Sequence, residues 1–239
     1  MRKTLLSFAI IVLMSLCGMT AKSQTTLTAG DIAFVGYNAD AVYDDFTFVL
    51  LKNISASTTI NFTDFGWCSD INGFQKPNPC GLSTGAVTDG AITWTATSAL
   101  PSGTQVTIQS RTMLTATVGT VTGLLATSSL PTDYMTLATG GDQIFAFQGT
   151  LTSPTLIAGI SMDGAWLASL TQCQFTSSQS ALPSQLNSTN SIAIVPEVDN
   201  AAYNCSITTT TPAELRSAVL NLANWLVNDA TPFIFPMCT

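Results

Sequence analysis

The chain contains no histidine, and that one absence removes much of the familiar machinery of catalysis. Ser-His-Asp and Cys-His nucleophiles need an imidazole to move the proton, and the usual catalytic zinc and non-haem iron sites need one as a ligand. No Walker A loop or dinucleotide fingerprint is present, because the glycines do not fall at strand-to-helix turns. Carboxylate, hydroxyl and amide chemistry is what is left. Two Asp carboxylates at the right separation, one with a raised pKa, could hydrolyse a glycosidic bond. Asp44, Asp45, Asp64, Asp142 and Asp163 are the residues available for that. Each also sits among turn-forming neighbours, where Asp closes a turn without doing chemistry. No catalytic residue is assigned.

The densest oxygen cluster is Asn38-Ala39-Asp40-Ala41-Val42-Tyr43-Asp44-Asp45. Asp40, Asp44 and Asp45 could together hold Ca²⁺, which takes hard oxygen ligands. Their spacing departs from the EF-hand loop, and the alternative is a solvated loop whose like charges face water. Aromatic side chains gather in the same third of the chain: Tyr37, Tyr43, Phe65, Trp67 and Phe74. Exposed, such rings stack on sugars or anchor a protein partner; buried, they fill the core. Tyr37, Tyr43, Phe65 and Trp67 are the candidate ligand-binding residues, with carbohydrate or a surface protein as the partner.

The N-terminus reads as a secretory signal. Arg2 and Lys3 supply positive charge, Leu5 to Leu16 an apolar run of 12 residues, and Ala21-Lys22-Ser23 a cleavage site before Gln24. The run is too short to span a bilayer, and no later segment is apolar for long enough. A lipoprotein reading, with Cys17 at the mature terminus, ranks second because Leu16 stands where a small residue belongs. Residues 1–23 are thus expected to be the signal peptide. Residues 24–239 should form one extracytoplasmic β-rich domain, secreted or at the cell surface.

Cleavage leaves Lys52, Lys76, Arg111 and Arg216 against fourteen acidic residues, a net charge of −10. Such a surface has no basic patch to release counterions from nucleic acid, so nucleic-acid binding is excluded as a function class. Five cysteines survive cleavage, and in an exported chain they are disulfide candidates first. Cys68–Cys80 and Cys173–Cys205 is the expected pairing, with Cys238 left over, among fifteen possible arrangements. With no C-x-x-C and no histidine, a zinc site is a poor reading.

The elements that must position these groups are mostly strands. Charged residues are only 9% of the chain and hydrophobic ones 46%, with abundant Thr and Val, a composition suited to pleated sheets. Strands are predicted at 32–36, 46–51, 59–63, 92–94, 105–109, 143–148, 156–160 and 192–195, with Ile60 and Phe62 pointing inward. The 68–90 stretch reads as a long irregular loop. Turn dipeptides between short strands argue for an antiparallel sandwich or barrel. One helix is predicted after the capping box Thr211-Pro212-Ala213-Glu214, with Leu215, Ala218, Val219, Leu222 and Leu226 on one face. The fold class is all-β with one C-terminal α-helix packed on it.

Two stretches carry a resemblance. Gly30 to Leu51 (GDIAFVGYNADAVYDDFTFVLL), continued by Thr58 to Trp67 (TTINFTDFGW), resembles the opening of a β-rich domain of exported proteins of Gram-negative bacteria. Ala193 to Asn204 (AIVPEVDNAAYN) and the capped helix ending in Ala223-Asn224-Trp225 are similar to its closing part. Ser57 departs from the group's usual glycine. The resemblance implies a surface or secreted setting and assigns no activity. The expected function is a non-enzymatic secreted or surface domain in adhesion, surface structure or ligand binding. The alternative is a histidine-free polysaccharide hydrolase using Asp carboxylates.

Overall fold

Successive side chains of a strand point to opposite faces, so a Thr-, Val- and Ile-rich chain builds stacked sheets when both faces find cover. The computed structural model describes residues 23–42, 44–75, 89–127, 132–172, 178–207 and 209–235. Its strands are β1 (Ile32–Asn38), β2 (Asp45–Leu50), β3 (Thr59–Thr63), β4 (Trp67–Cys68), β5 (Gly73–Phe74), β6 (Ala91–Thr95) and β7 (Gln105–Gln109). They continue with β8 (Thr115–Ala116), β9 (Thr120–Leu125), β10 (Gln143–Thr150), β11 (Ser153–Ser161), β12 (Ser191–Ala193), β13 (Asn200–Tyr203) and β14 (Trp225–Asn228). One six-stranded sheet runs β14-β13-β1-β2-β7-β8, the other β12-β11-β10-β3-β6-β9, and β4-β5 is a separate hairpin. The β11–β12 pair is parallel. The predicted strands fall within or overlap these elements, and the all-β class holds.

The core lies between the two sheets. Phe62 sits at its centre, with ring centroids of Phe46 at 5.0 Å and Phe48 at 5.1 Å. Phe48 in turn meets Trp94 edge-on at 5.5 Å. Ile60 and Phe62 are fully buried, as their alternation predicts. Burying each such side chain contributes roughly 1.5–3 kcal/mol. Strand β10 is covered on both faces: Ile144 and Ala146 join the main core, while Phe145 and Phe147 form a second cluster with Phe65, Trp67 and Phe74. Strand β1 is likewise buried throughout. Gly36 makes its cover possible, since a Cβ there would lie 2.5 Å from the Phe235 ring.

The helix α1 spans Pro212–Val219 and begins with the predicted capping box: Thr211 accepts from the Glu214 N–H, and the Glu214 carboxylate accepts from the Thr211 N–H. It stops sooner than its apolar stripe suggests. A 3₁₀ turn, Leu222–Asn224, capped by Asn221, redirects the chain into β14, which pairs with β13. Leu222 and Leu226 are consequently exposed, while the Trp225 indole N–H donates to Val219 O at 2.7 Å. Sheet pairing overrides the helical period here. Among the described residues no helix is long and apolar enough to cross a membrane.

The expected Cys68–Cys80 bond is not made. Cys68 is a free thiol, fully buried against Leu170 and Ala181, where it packs as a small apolar side chain. Burial pushes its pKa up to about 11. Cys205 is disulfide-bonded, but its expected partner Cys173 lies outside the described residues, as do Cys80, Cys238, Tyr43 and residues 1–22.

Candidate functional site

Strand directions place most of the acid on one end of the sandwich. Antiparallel register sets Asn38 (β1), Asp45 (β2), Asn200 (β13) and Asn228 (β14) side by side, so Asp40, Asp44, Asp199 and Asp229 flank one edge of the first sheet. Thr63 (β3) pairs with Ala91 (β6) and Phe145 (β10), and Gln143 (β10) with Ser161 (β11), which puts Asp64, Asp89, Asp142 and Asp163 at an edge of the second. The segment 132–142 joins the two edges: Thr136 N–H donates to Asp64 Oδ2 at 3.0 Å and Leu137 N–H to Asp44 Oδ2 at 3.1 Å. With Asp45, Asp133 and Glu197, eleven of the fourteen acidic residues stand at this end. Arg111 is the one described cation there; it reaches Asp133 at 3.2 Å and Asp44 at 4.0 Å.

These carboxylates fall into two chemically different sets. The inner set is saturated with donors. Asp64 Oδ1 accepts from Gly90 N–H at 2.6 Å, and Asp142 accepts from the backbone N–H groups of Ala138 and Gln143. The Gln143 amide N–H bridges Asp142 to the Asp64 carbonyl. Asp64 and Asp142 are fully enclosed, and burial, reinforced by their mutual repulsion and by Asp89, raises both pKa values well above the carboxylate norm. Two enclosed acids of this kind could supply half of a hydrolase, but here their oxygens are taken up by backbone donors. Their role is to tie loops together.

The outer set is different. One carboxylate oxygen from each of Glu197, Asp199 and Asp229 lies within 4.8 Å of the others. Asp199 N–H donates to Asp229 Oδ1 at 3.3 Å, and Ala39 N–H to Asp199 O at 2.9 Å, which fixes the 194–199 turn against β1 and β14. Burial and the neighbouring Asp199 and Asp229 raise the Glu197 pKa; burial, Asp40 and Asp229 raise that of Asp199. Burial, then the same three carboxylates, raises the Tyr37 hydroxyl too, which donates to Val198 O at 2.9 Å.

The calcium set read from the sequence is split by the fold. Asp40 Oδ2 accepts from the Asn200 amide at 3.0 Å, Asp44 turns inward to Leu137, and Asp45 accepts from the Asn38 amide at 2.7 Å. The reason is local: Asp44 adopts φ 45°, so Asp44 and Asp45 point apart, and Asp45 is already part of β2. Only Asp40 faces the outer set. Glu197, Asp199 and Asp229 were missed because the contact joins residues about 30 apart across the β13–β14 pairing. The one available signal was the period-two spacing of Glu197 and Asp199, which puts both on one side of an extended segment.

The aromatic candidates are buried rather than displayed. Tyr37, Phe65 and Trp67 are at most 4% exposed, because each packs into one of the two cores. Phe65 still borders a cavity of about 250 Å³ with Ile71, Phe74, Gln75, Leu125 and Leu151. Among the described residues, none of those lining it is ionisable. Comparison of the chain with family models, curated proteins and solved structures finds no match.

Proposed function

We propose that the protein is a non-catalytic, exported β-sandwich domain that works outside the cytoplasm by binding, at the cell surface or in the medium. The observation that carries this reading is the cavity beside Phe65. Its described walls are aromatic and aliphatic, with the amides of Asn72 and Gln75 and the Thr152 hydroxyl as polar groups. Apolar walls with a few convergent amides suit a sugar ring or an apolar side chain of a partner. Among the described residues the lining offers amides and one hydroxyl beside apolar walls, a set suited to holding a ligand.

The hydrolase alternative has less support. Of its candidate acids, Asp64 and Asp142 are sealed under backbone donors, which leaves neither oxygen pair open to a substrate. The ordered resemblance of Gly30 to Trp67 and Ala193 to Trp225 to domains of exported Gram-negative proteins, together with the signal-like N-terminus, supports the extracytoplasmic setting.

The test is thermal unfolding against a panel of polysaccharides, with release of reducing ends followed in the same samples. Binding predicts a raised midpoint and no new reducing ends, and the rise should shrink in Leu151→Ala. Reducing ends that scale with protein and vanish in Asp142→Asn would instead establish the hydrolase. A flat panel removes carbohydrate and leaves a protein partner as the ligand.

A further inference from the structure

We propose that Glu197, Asp199 and Asp229, completed by Asp40 and the amide oxygen of Asn200, form a divalent-cation site that takes Ca²⁺. The first support is geometric. Oxygens on opposite sides of a calcium ion stand about 4.8 Å apart, twice a Ca–O distance near 2.4 Å. One oxygen from each of the three carboxylates already lies within 4.8 Å of the others. The ligands come from a turn before β13 and from the end of β14, segments that the sheet itself holds in register.

The second support is independent of the acids. Asn200 is fully buried, and its Oδ1 has no hydrogen-bond donor. Its amide nitrogen meets the rim of the cluster, donating to Asp40 Oδ2 at 3.0 Å and to Asn228 O at 3.0 Å. A buried carbonyl oxygen without a donor is costly, and a hard cation is one partner that satisfies it. Glu197 Oε1 is in the same condition, buried and without a donor. The neighbouring inner carboxylates, Asp64 and Asp142, are by contrast met by backbone N–H groups.

Charge balance gives the third support. Among the described residues, Lys52 pairs with Asp31, Arg111 with Asp133, and Arg216 reaches Gly30 O. None of them touches the outer set. A cation would offset the repulsion that the fold builds in by gathering these groups. The irregular set of carboxylates and one amide favours calcium over magnesium, which demands a near-octahedral shell and keeps its waters.

The site is separate from the ligand-binding reading. It shares no residue with the cavity beside Phe65, so either can fail without the other. The experiment is calorimetric titration and thermal unfolding of chelator-stripped protein with CaCl₂, with NaCl at matched ionic strength as reference. The midpoint should rise by roughly 5–10 °C at a hundredfold excess over Kd, well beyond the NaCl effect. Asp229→Asn and Glu197→Gln, both at the surface end of the cluster, should each raise the calcium Kd at least tenfold. Stripped Asp229→Asn should melt no lower than stripped wild type, since it has lost repulsion, and Asp44→Asn should keep the calcium response. Calcium and NaCl giving equal shifts would reduce the cluster to screened surface charge and overturn the proposal. So would a calcium response that survives both substitutions, or no heat of binding at all.

Discussion

The two ends of the sandwich do the same mechanical job with different chemistry. At the end where β1 begins, a neutral amide ties the chain together: Gln148 Oε1 accepts from Leu27 N–H at 2.9 Å, and its Nε2 donates to Thr25 O and Thr59 O. At the other end carboxylates do the tying, with Asp64, Asp44 and Asp142 gripping the successive N–H groups of Thr136, Leu137 and Ala138. An amide holds its partners at every pH. A buried carboxylate holds them while its own charge is opposed by burial and by its neighbours. The Gln148 clamp is therefore indifferent to protons, and the carboxylate clamp answers to them.

That contrast breaks most visibly at Asp64. Asp64→Ala leaves the N–H groups of Gly90 and Thr136 buried without an acceptor and should lower stability by about 4 kcal/mol in urea unfolding. A loss below about 1 kcal/mol would show that the carboxylate clamp is dispensable.

Next comes the pH response. Burial holds Asp44 up at about 7 and Asp45 up at about 6, against about 4 in the unfolded chain. Between those values the folded protein keeps protons that the unfolded chain releases. Stability is therefore greatest at or below pH 4 and falls as pH rises to 7. Asp44 alone should contribute on the order of 2–4 kcal/mol to that fall. Asp44→Asn, at a φ of 45° that Asn tolerates, should flatten it and leave the fold intact. Melting curves from pH 4 to 8 check both, and a midpoint that rises with pH contradicts the assignment.

The neutral end sharpens the comparison. Gln148→Leu should lose about 2 kcal/mol, and the same amount at pH 4.5 and pH 7.5, because no charge is involved. Smallest of all is Lys52→Ala, which removes a half-exposed pair with Asp31 at 3.0 Å and should change stability by less than about 0.5 kcal/mol.

Local signals in the sequence were good guides to local structure. The alternation at Thr59–Thr63 gave a strand with Ile60 and Phe62 inward, and Thr211 with Glu214 gave a helix start, because both depend on neighbours a few residues away. What failed depends on pairing at a distance. The apolar stripe beyond Val219 looked helical until β13 recruited Trp225–Asn228 as a strand. Asp40, Asp44 and Asp45 looked like one ligand set until each was turned to a different part of the fold. Glu197, Asp199 and Asp229 were visible as residues but not as a group, since only the β13–β14 register brings them together. Cys68 shows the same limit: spacing offered it a partner, and burial beside Leu170 made it a core residue.

That sealed thiol also makes the molecule its own stopwatch. Alkylation needs a thiolate in contact with reagent, and Cys68 offers neither while Leu170 and Ala181 cover it and its pKa stays near about 11. Each label recovered at Cys68 by mass spectrometry thus counts one excursion of the β4–β5 hairpin off the second sheet. Labelling faster than whole-chain unfolding would identify that hairpin as a flap with a lifetime of its own, and labelling at the same rate would make it one cooperative unit with the sandwich.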